Sequence, residues 1–230
     1  MRRSLSSLPG SVFVLLAAVL SGCAGSSSGN GLAAKTPDQI VAAARSAADG
    51  AATVRVAGSM MSAGVPVSID MELVRGKGGR GRIALEGLSI EVVRVGSALY
   101  LMGNPAFYRR IAGPTAAHLL RGKWLKAVKS SVGDFSPLAS LTQLDFLIDA
   151  ALAGHGPLAS GATTTLDGQE ALAVKDLSRG GTLYVAATRS PYPLEVLGGS
   201  GGRLVFDRWN RPISLEAPLD AVNVKQLDRP

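Results

Sequence analysis

Hydrophobic and polar residues alternate over long stretches of this chain, with the period of two that is typical of β-strands with one buried face. The clearest run covers residues 65–73, where five large apolar side chains alternate with Pro66, Ser68, Asp70 and Glu72. Similar alternation predicts further strands at 52–57, 82–86, 88–95, 98–102 and 123–126, and then at 163–174, 182–186, 194–197, 203–207 and 213–215. The alternating pattern therefore predicts two groups of about five strands.

Three stretches instead carry helical signals. Thr36, Pro37 and Gln39 form an N-cap, a first-turn proline and a capping box, and Gly50 ends that helix. Asn104-Pro105 starts a second helical stretch, which Gly113-Pro114 divides, and residues 138–153 have apolar side chains at helical spacing. Because so few helices cannot cover both faces of a sheet, the pattern predicts an α+β fold. Its sheet is a curved antiparallel half-barrel of about ten strands, with helices packed on the concave face.

The N-terminus has the layout of an export signal. Arg2 and Arg3 precede an apolar run, residues 12–20, that is shorter than the roughly 20 residues needed to span a bilayer. The following Leu20-Ser21-Gly22-Cys23 resembles the bacterial lipobox, which implies cleavage before Cys23 and a diacylglyceryl group on its sulfur. The alternative is an ordinary cleaved signal followed by a buried thiol.

The expected organisation has three parts. Residues 1–22 are a lipoprotein signal peptide, residues 23–35 are the lipidated Cys23 with a flexible tether rich in Gly and Ser, and residues 36–230 are the half-barrel domain. These features predict an extracytoplasmic protein that is held to the cell membrane by its acylated cysteine, with palmitate as a typical acyl group.

Composition narrows the range of functions. The formal net charge is +7, but the basic residues are spread along the chain and are not interleaved with aromatics, so we expect no nucleic-acid partner. Cys23 is the only cysteine, which excludes a disulfide within one chain. With 47% hydrophobic but only 5% aromatic residues, the core must be mostly aliphatic.

Two sequence patterns match known site motifs but lack the required context. Residues 76–81 match the glycine fingerprint of dinucleotide sites, yet a strand follows where a helix is needed, which favours a basic hairpin turn. Residues 198–202 match a nucleophile elbow, but no histidine lies downstream, which favours a flexible loop. His118 and His155 are too far apart to indicate a zinc site. The sequence therefore predicts no catalytic residue, no cofactor and no metal, and the protein is not expected to be an enzyme.

Several segments carry a family resemblance: residues 95–101, 181–185, 191–194 and 209–218, together with the lipobox and the Thr36-Pro37 helix start. They resemble the LppX/LprG-type lipoproteins of actinobacteria, which are similar in fold to the carriers LolA and LolB. The resemblance implies an apolar cavity between sheet and helices, and the binding and movement of acylated molecules.

The expected ligand is thus an acylated lipid or a lipidated glycan, held in a cavity under the sheet. Burial would contribute about 0.8 kcal/mol for each CH₂ group. The residues predicted to line this cavity are Val67, Ile69, Met71, Leu73, Ile83, Leu85 and Val92. The same residues would serve equally well in a filled core. The alternative function is therefore a tethered interaction module with a solid core that contacts another envelope protein.

Overall fold

The computed structural model describes residues 29–62, 64–127 and 135–224, so the signal peptide and Cys23 lie outside the described part. A 3-10 turn covers Leu32–Ala34, and the helices are α1 Pro37–Asp49, α2 Pro105–Leu120, α3 Ser136–Ser140 and α4 Leu144–Leu152. The first strands are β1 Thr53–Ser62, β2 Val65–Val74, β3 Gly78–Leu85, β4 Leu88–Val95, β5 Ala98–Gly103 and β6 Leu125–Ala127. The later strands are β7 Leu158–Leu166, β8 Gln169–Asp176, β9 Thr182–Ala186, β10 Pro193–Leu197, β11 Gly202–Asp207 and β12 Val222–Asn223.

All the described strands belong to one sheet, in the order β12-β6-β5-β4-β3-β2-β1-β11-β10-β9-β8-β7. Every pair is antiparallel except β12 with β6, which is parallel. The two groups of strands meet where β1 pairs with β11 over six residues. Within the described residues the edge strands β7 and β12 do not pair with each other, so the sheet stays open. The predicted α+β half-barrel is confirmed, with twelve strands instead of about ten.

Alternation separates the two faces of this sheet. On one face, Arg55 pairs with Asp70, Arg80 with Glu72 and Arg82 with Glu91, at distances of 2.8–3.0 Å. The opposite face is aliphatic, and its buried side chains form one continuous core. That core includes, from the sheet, Val54, Val56, Val67, Ile69, Met71, Leu73, Ile83, Ile90, Val92, Leu99, Leu101, Leu172, Val174, Leu183, Val185, Leu204 and Phe206.

The helices cover this aliphatic face. Helix α1 contacts strands β7 to β10 and lies beside α4, while α2 contacts β4 and β5. The predicted capping box is present in α1: the Thr36 hydroxyl accepts from the Gln39 N–H, and the Gln39 side chain accepts from the Thr36 N–H. Helix α1 buries Ile40, Val41, Ala44 and Ala48 against the sheet. The predicted packing of helices on the concave face is therefore confirmed.

The third helical segment differs from its prediction. The sequence predicts one helix over residues 138–153, but the structure has two helices, α3 and α4, separated by Leu141–Gln143. Thr142 causes the break: its N–H and its hydroxyl both donate to the carbonyl oxygen of Ala139, at 3.2 and 2.6 Å. A threonine side chain that bonds nearby backbone competes with the helix, and hydrophobic spacing does not reveal this.

The prediction of a basic hairpin turn over residues 76–81 is only partly right. Lys77 closes a tight turn by donating to the Val74 carbonyl oxygen, but β3 already begins at Gly78. Glycines are needed inside this strand because neighbouring atoms come unusually close. A Cβ on Gly79 would lie 2.6 Å from Leu73 Cδ2, and a Cβ on Gly81 would lie 2.7 Å from Met71 Sδ.

The strand predicted at residues 213–215 is absent, and residues 211–218 follow an irregular path. Pro212 and Pro218 have no N–H to donate to a strand ladder, which explains the loss of pairing. The last strand is β12, beside β6.

The N-terminal part of the domain begins earlier than the predicted boundary at residue 36. Asn30 donates its N–H to the Ala187 carbonyl oxygen and its side-chain amide to Ala186 and Arg189, at 2.9–3.1 Å. Leu32 is only 2% exposed and belongs to the core. Asn30 and Leu32, which the sequence places in the tether, therefore pack with the fold.

Candidate functional site

A partly open cavity of about 200 Å³, with both apolar and polar lining residues, lies between the helices α1 and α4 and the strands β8 to β10. Val41 of α1 and Leu152 of α4 line the helical side. Val174, Leu183 and Val196 line the sheet side, and Leu158 of β7 closes one flank. The cavity therefore has an aliphatic interior, and it opens at one end of the strands.

Strand register places these side chains together. Val174 of β8 lies directly opposite Leu183 of β9, and Leu183 lies opposite Val196 of β10. Directly opposed residues of antiparallel strands project to the same face. The three side chains therefore form a row across the sheet, and α1 and α4 cross over this row.

The rim of the cavity is polar and is built around Asp176. Its carboxylate accepts from the N–H groups of Ser178 and Arg179 and from the Ser178 hydroxyl, at 2.8–3.0 Å, and from the Gly156 N–H at 3.3 Å. These donors lower the pKa of Asp176 from 3.8 to about 2, and the Arg179 N–H has the largest effect. Asp176 thereby fixes the turn between β8 and β9 against the residues that follow α4.

A glycine loop forms the other side of the mouth. Gly198 and Gly199 line the cavity, and the loop closes through hydrogen bonds between Gly198 and both Gly201 and Gly202. A Cβ on Gly199 would overlap the carbonyl oxygen of Arg179. The sequence prediction of a flexible loop at 198–202 misses this contact, because glycine here allows two mouth loops to touch.

Three further side chains surround the opening. Arg179 and His155 are exposed and belong to the lining. Leu177, at the tip of the turn between β8 and β9, is 66% exposed. An aliphatic interior with basic groups at its mouth can hold an apolar chain inside and a polar group outside.

The seven residues predicted to line a cavity lie elsewhere on the same face. Val67, Ile69, Met71 and Leu73 are on β2, Ile83 and Leu85 on β3, and Val92 on β4. Six are buried, and Leu85 is partly buried against the same core. None of them lines the cavity beside β8 to β10. That these seven residues line a ligand cavity stays a prediction.

The residues that do line the cavity were not singled out from the sequence. Val174, Leu183 and Val196 carry the same alternation as β2, so period alone could not distinguish them. The available signal was the pair of glycine segments at 180–181 and 198–199, which mark the end of the sheet that the helices leave open.

The described residues contain no group of three or more His, Cys, Asp or Glu side chains that could hold a metal ion. In the same part of the chain, no helix has the length and apolar character required to cross a bilayer. Cys23, the predicted lipid attachment site, lies outside the described residues.

No protein-family model matches this chain, and no curated protein matches it in sequence. Comparison with solved structures finds LprF from Mycobacterium bovis, with a TM-score of 0.59 and 12% identity, over 79% of this chain and 96% of that chain. The crystal structure of MucB has a TM-score of 0.39 and 17% identity, over 81% of this chain and 65% of that one. A LolA superfamily protein from Nitrosomonas europaea has a TM-score of 0.26 and 11% identity, over 78% of this chain and 96% of that one.

At 12% identity the likeness to LprF concerns the fold. It confirms, at that level, the resemblance to LppX/LprG-type lipoproteins: this chain has the LprF fold, an open half-barrel with its helices on the concave face.

Proposed function

We propose that this protein is a non-enzymatic, extracytoplasmic lipoprotein that binds or carries a lipid or lipidated glycan. The observation that carries the proposal is the aliphatic cavity between α1, α4 and strands β8 to β10, which opens beside a polar rim. Such a site takes up a hydrocarbon chain by burial alone and needs no bond chemistry. The LprF fold and the export signal in the sequence support the same function.

The cavity must widen to hold a whole acyl chain. Its volume of about 200 Å³ is below the roughly 300–1,000 Å³ of ordinary ligand sites. Helix α1 packs with the small side chains of Ala44 and Ala48, and its contact with α4 includes an exposed ion pair between Arg45 and Asp149. Exposed ion pairs contribute about 1 kcal/mol or less, so the Arg45–Asp149 pair is a weak connection between the two helices.

The binding test compares two matched substitutions. Val196 faces the cavity, whereas Val205 of the neighbouring strand projects to the opposite face of the sheet. We expect Val196→Phe to fill the cavity and to weaken binding of a fluorescent fatty acid by tenfold or more, while Val205→Phe leaves this binding unchanged.

Native mass spectrometry of a chain starting at Ala24 should show bound lipid after mild purification. A lipid-free mass together with no uptake of added fatty acid contradicts the proposal.

Membrane attachment has its own test. We propose that Cys23 carries the diacylglyceryl group, because it follows a signal with a lipobox pattern and is the only cysteine. In a bacterial host, Cys23→Ser should shift the protein from the membrane fraction to the soluble fraction. The mass of the N-terminal peptide should show the lipid in the unaltered chain. Membrane association that persists in the variant contradicts this assignment.

The second candidate function is the tethered interaction module with a solid core. Its specific support is the close packing of β2 and β3, where Met71, Leu73 and Ile83 are fully buried by the protein itself. If the unaltered protein takes up no fatty acid, if neither Val196→Phe nor Val205→Phe changes this, and if the purified chain carries no lipid, this candidate is favoured.

A further inference from the structure

Arg179 is a basic group at the mouth of the cavity. Within the described part of the chain its guanidinium makes no hydrogen bond and no ion pair. Its Nη1 lies beside Gly154, which follows the end of α4. A Cβ added to Gly154 would lie 3.1 Å from this nitrogen. The only other basic group of the lining is His155. The guanidinium therefore has its donors free at the point where the head of a bound chain would emerge.

The acidic neighbour does not neutralise Arg179. Asp176 is the only acidic residue of the cavity lining. Its carboxylate accepts four hydrogen bonds, from Gly156, Ser178 and the backbone N–H of Arg179. These bonds position the turn that carries Arg179, and among the described residues the Asp176 carboxylate makes no ion pair with the Arg179 side chain.

The backbone that carries Arg179 is held from two sides. Its N–H donates to Asp176 at 3.0 Å, and the next residue, Gly180, donates to the Asp176 carbonyl oxygen at 3.0 Å. Gly199 approaches the Arg179 carbonyl closely from the other mouth loop. A cation on a fixed backbone next to an aliphatic cavity is well placed to select among headgroups, because less motion is lost on binding.

We propose that Arg179, assisted by His155, binds a phosphate group in the headgroup of the acylated ligand. The planar guanidinium matches phosphate oxygens with two parallel hydrogen bonds, which a lysine cannot reproduce. The hydrocarbon would lie against Val174, Leu183 and Val196, with the phosphate at the rim. This inference rests on the proposed function and adds the class of ligand: an anionic, phosphate-bearing lipid instead of a neutral one.

The test measures the binding of two single-chain amphiphiles, dodecyl phosphate and dodecyl maltoside, below the concentrations at which they form micelles. The protein is the chain from Ala24 onward, which keeps every described residue. We expect the unaltered protein to prefer dodecyl phosphate by about five- to tenfold, as for a charge-assisted contact at an exposed rim. Arg179→Gln should remove this preference and leave maltoside binding unchanged, and Arg179→Lys should restore only part of it. Arg121→Gln, at an exposed arginine after α2, is the matched control and should keep the full preference.

The outcomes separate this inference from the proposed function. Equal affinity of the unaltered protein for both amphiphiles, or a preference that persists in Arg179→Gln, overturns the headgroup assignment while acyl binding stands. Binding of neither amphiphile overturns both. Thermal unfolding that is the same for Arg179→Gln and the unaltered protein excludes a loss of fold as the cause.

Discussion

Asp176 shows how one exposed carboxylate can organise the mouth of the cavity. Its pKa of about 2 in the folded protein lies below the ordinary value of 3.8. A carboxylate with a lowered pKa stabilises the fold above its unfolded pKa and loses this contribution as the pH falls through its folded pKa. The stabilisation by Asp176 is therefore complete above about pH 4 and disappears toward pH 2.

We expect Asp176→Asn to be less stable than the unaltered protein at neutral pH. The gap should close between about pH 4 and pH 2, because the unaltered protein then becomes protonated at this position. Urea denaturation of both proteins across this range measures the difference, in which the titration of all other carboxylates cancels. A gap that stays constant with pH would show that the hydrogen bonds to Asp176 do not depend on its charge.

Gly199 offers a second test at the scale of one residue. Replacement by alanine places a methyl group against the Arg179 carbonyl oxygen, and the two mouth loops must separate. We expect Gly199→Ala to lower the free energy of unfolding by about 1–3 kcal/mol, the usual cost of overpacking. The control is Gly50→Ala at the end of α1, where the backbone is already helical (φ −81°) and the added Cβ makes ordinary contacts at 3.6 Å. A larger loss in the control than in Gly199→Ala would contradict the contact between the loops.

Among the elements, α1, α4 and the end of β2 are joined by Arg75. Its Nε donates to the Ala51 carbonyl oxygen at 2.8 Å and its Nη2 to the Ala48 carbonyl oxygen at 2.7 Å. Its Nη1 pairs with Asp145 in the first turn of α4. The Arg75 guanidinium thus caps the C-terminal end of α1 and connects it to α4.

We expect Arg75→Met to lower the free energy of unfolding by about 2–3 kcal/mol. Methionine keeps an apolar stem but leaves the carbonyl groups and Asp145 without their charged donor. The matched control is Arg45→Met, which removes only the exposed ion pair with Asp149 and should cost less than about 1 kcal/mol. Chemical denaturation of both variants gives the comparison. Equal losses would mean that Arg75 acts as an ordinary surface arginine.

The elements were predictable where a local signal determines them. The alternation of residues 65–73, the Thr36 capping box and the glycine at residue 50 specify β2 and α1 within a few positions. The break at Thr142 and the glycines inside β3 were not predictable from such signals. The break depends on a bond between the threonine side chain and nearby backbone, and the glycines depend on atoms of a neighbouring strand. Gly81, for example, is required because a Cβ there would overlap the carbonyl oxygen of Asp70 on the neighbouring strand β2.

The position of the cavity depends on the whole molecule. Every strand from β1 to β11 offers apolar side chains to the helices, so the sequence correctly predicts an aliphatic concave face. Which part of that face is left uncovered depends on where α1 and α4 cross it. Met71 and Leu73 are fully buried, whereas a cavity remains between the helices α1 and α4 and the side chains of Val174, Leu183 and Val196. Alternation is the same in both regions and cannot decide between them.

Asn30, near the start of the described chain, and the mouth of the cavity lie at opposite ends of β9. Strand β9 runs from Thr182 at the mouth to Ala186, and the next residue, Ala187, accepts the hydrogen bond from Asn30. The short segment between Cys23 and Gly29 can reach about 20 Å when fully extended. The five residues of β9 span about 17 Å. The segment can bridge that length only when it is almost fully extended, so we expect an acylated Cys23 to hold the Asn30 end nearer the bilayer than the mouth.

This orientation can be measured because the proposed lipidation would block the thiol of Cys23, the only cysteine in the chain. A single new cysteine can then be labelled with a fluorophore, either as Leu177→Cys at the mouth or as Ser190→Cys at the opposite end, since both positions are exposed. With the lipidated protein in vesicles that carry a headgroup quencher, we expect the label at residue 190 to be quenched more strongly than the label at residue 177. Addition of the quencher in free solution should affect both labels equally and serves as the control. Stronger quenching at residue 177 would place the mouth on the anchoring membrane and would favour exchange of lipid with that membrane alone.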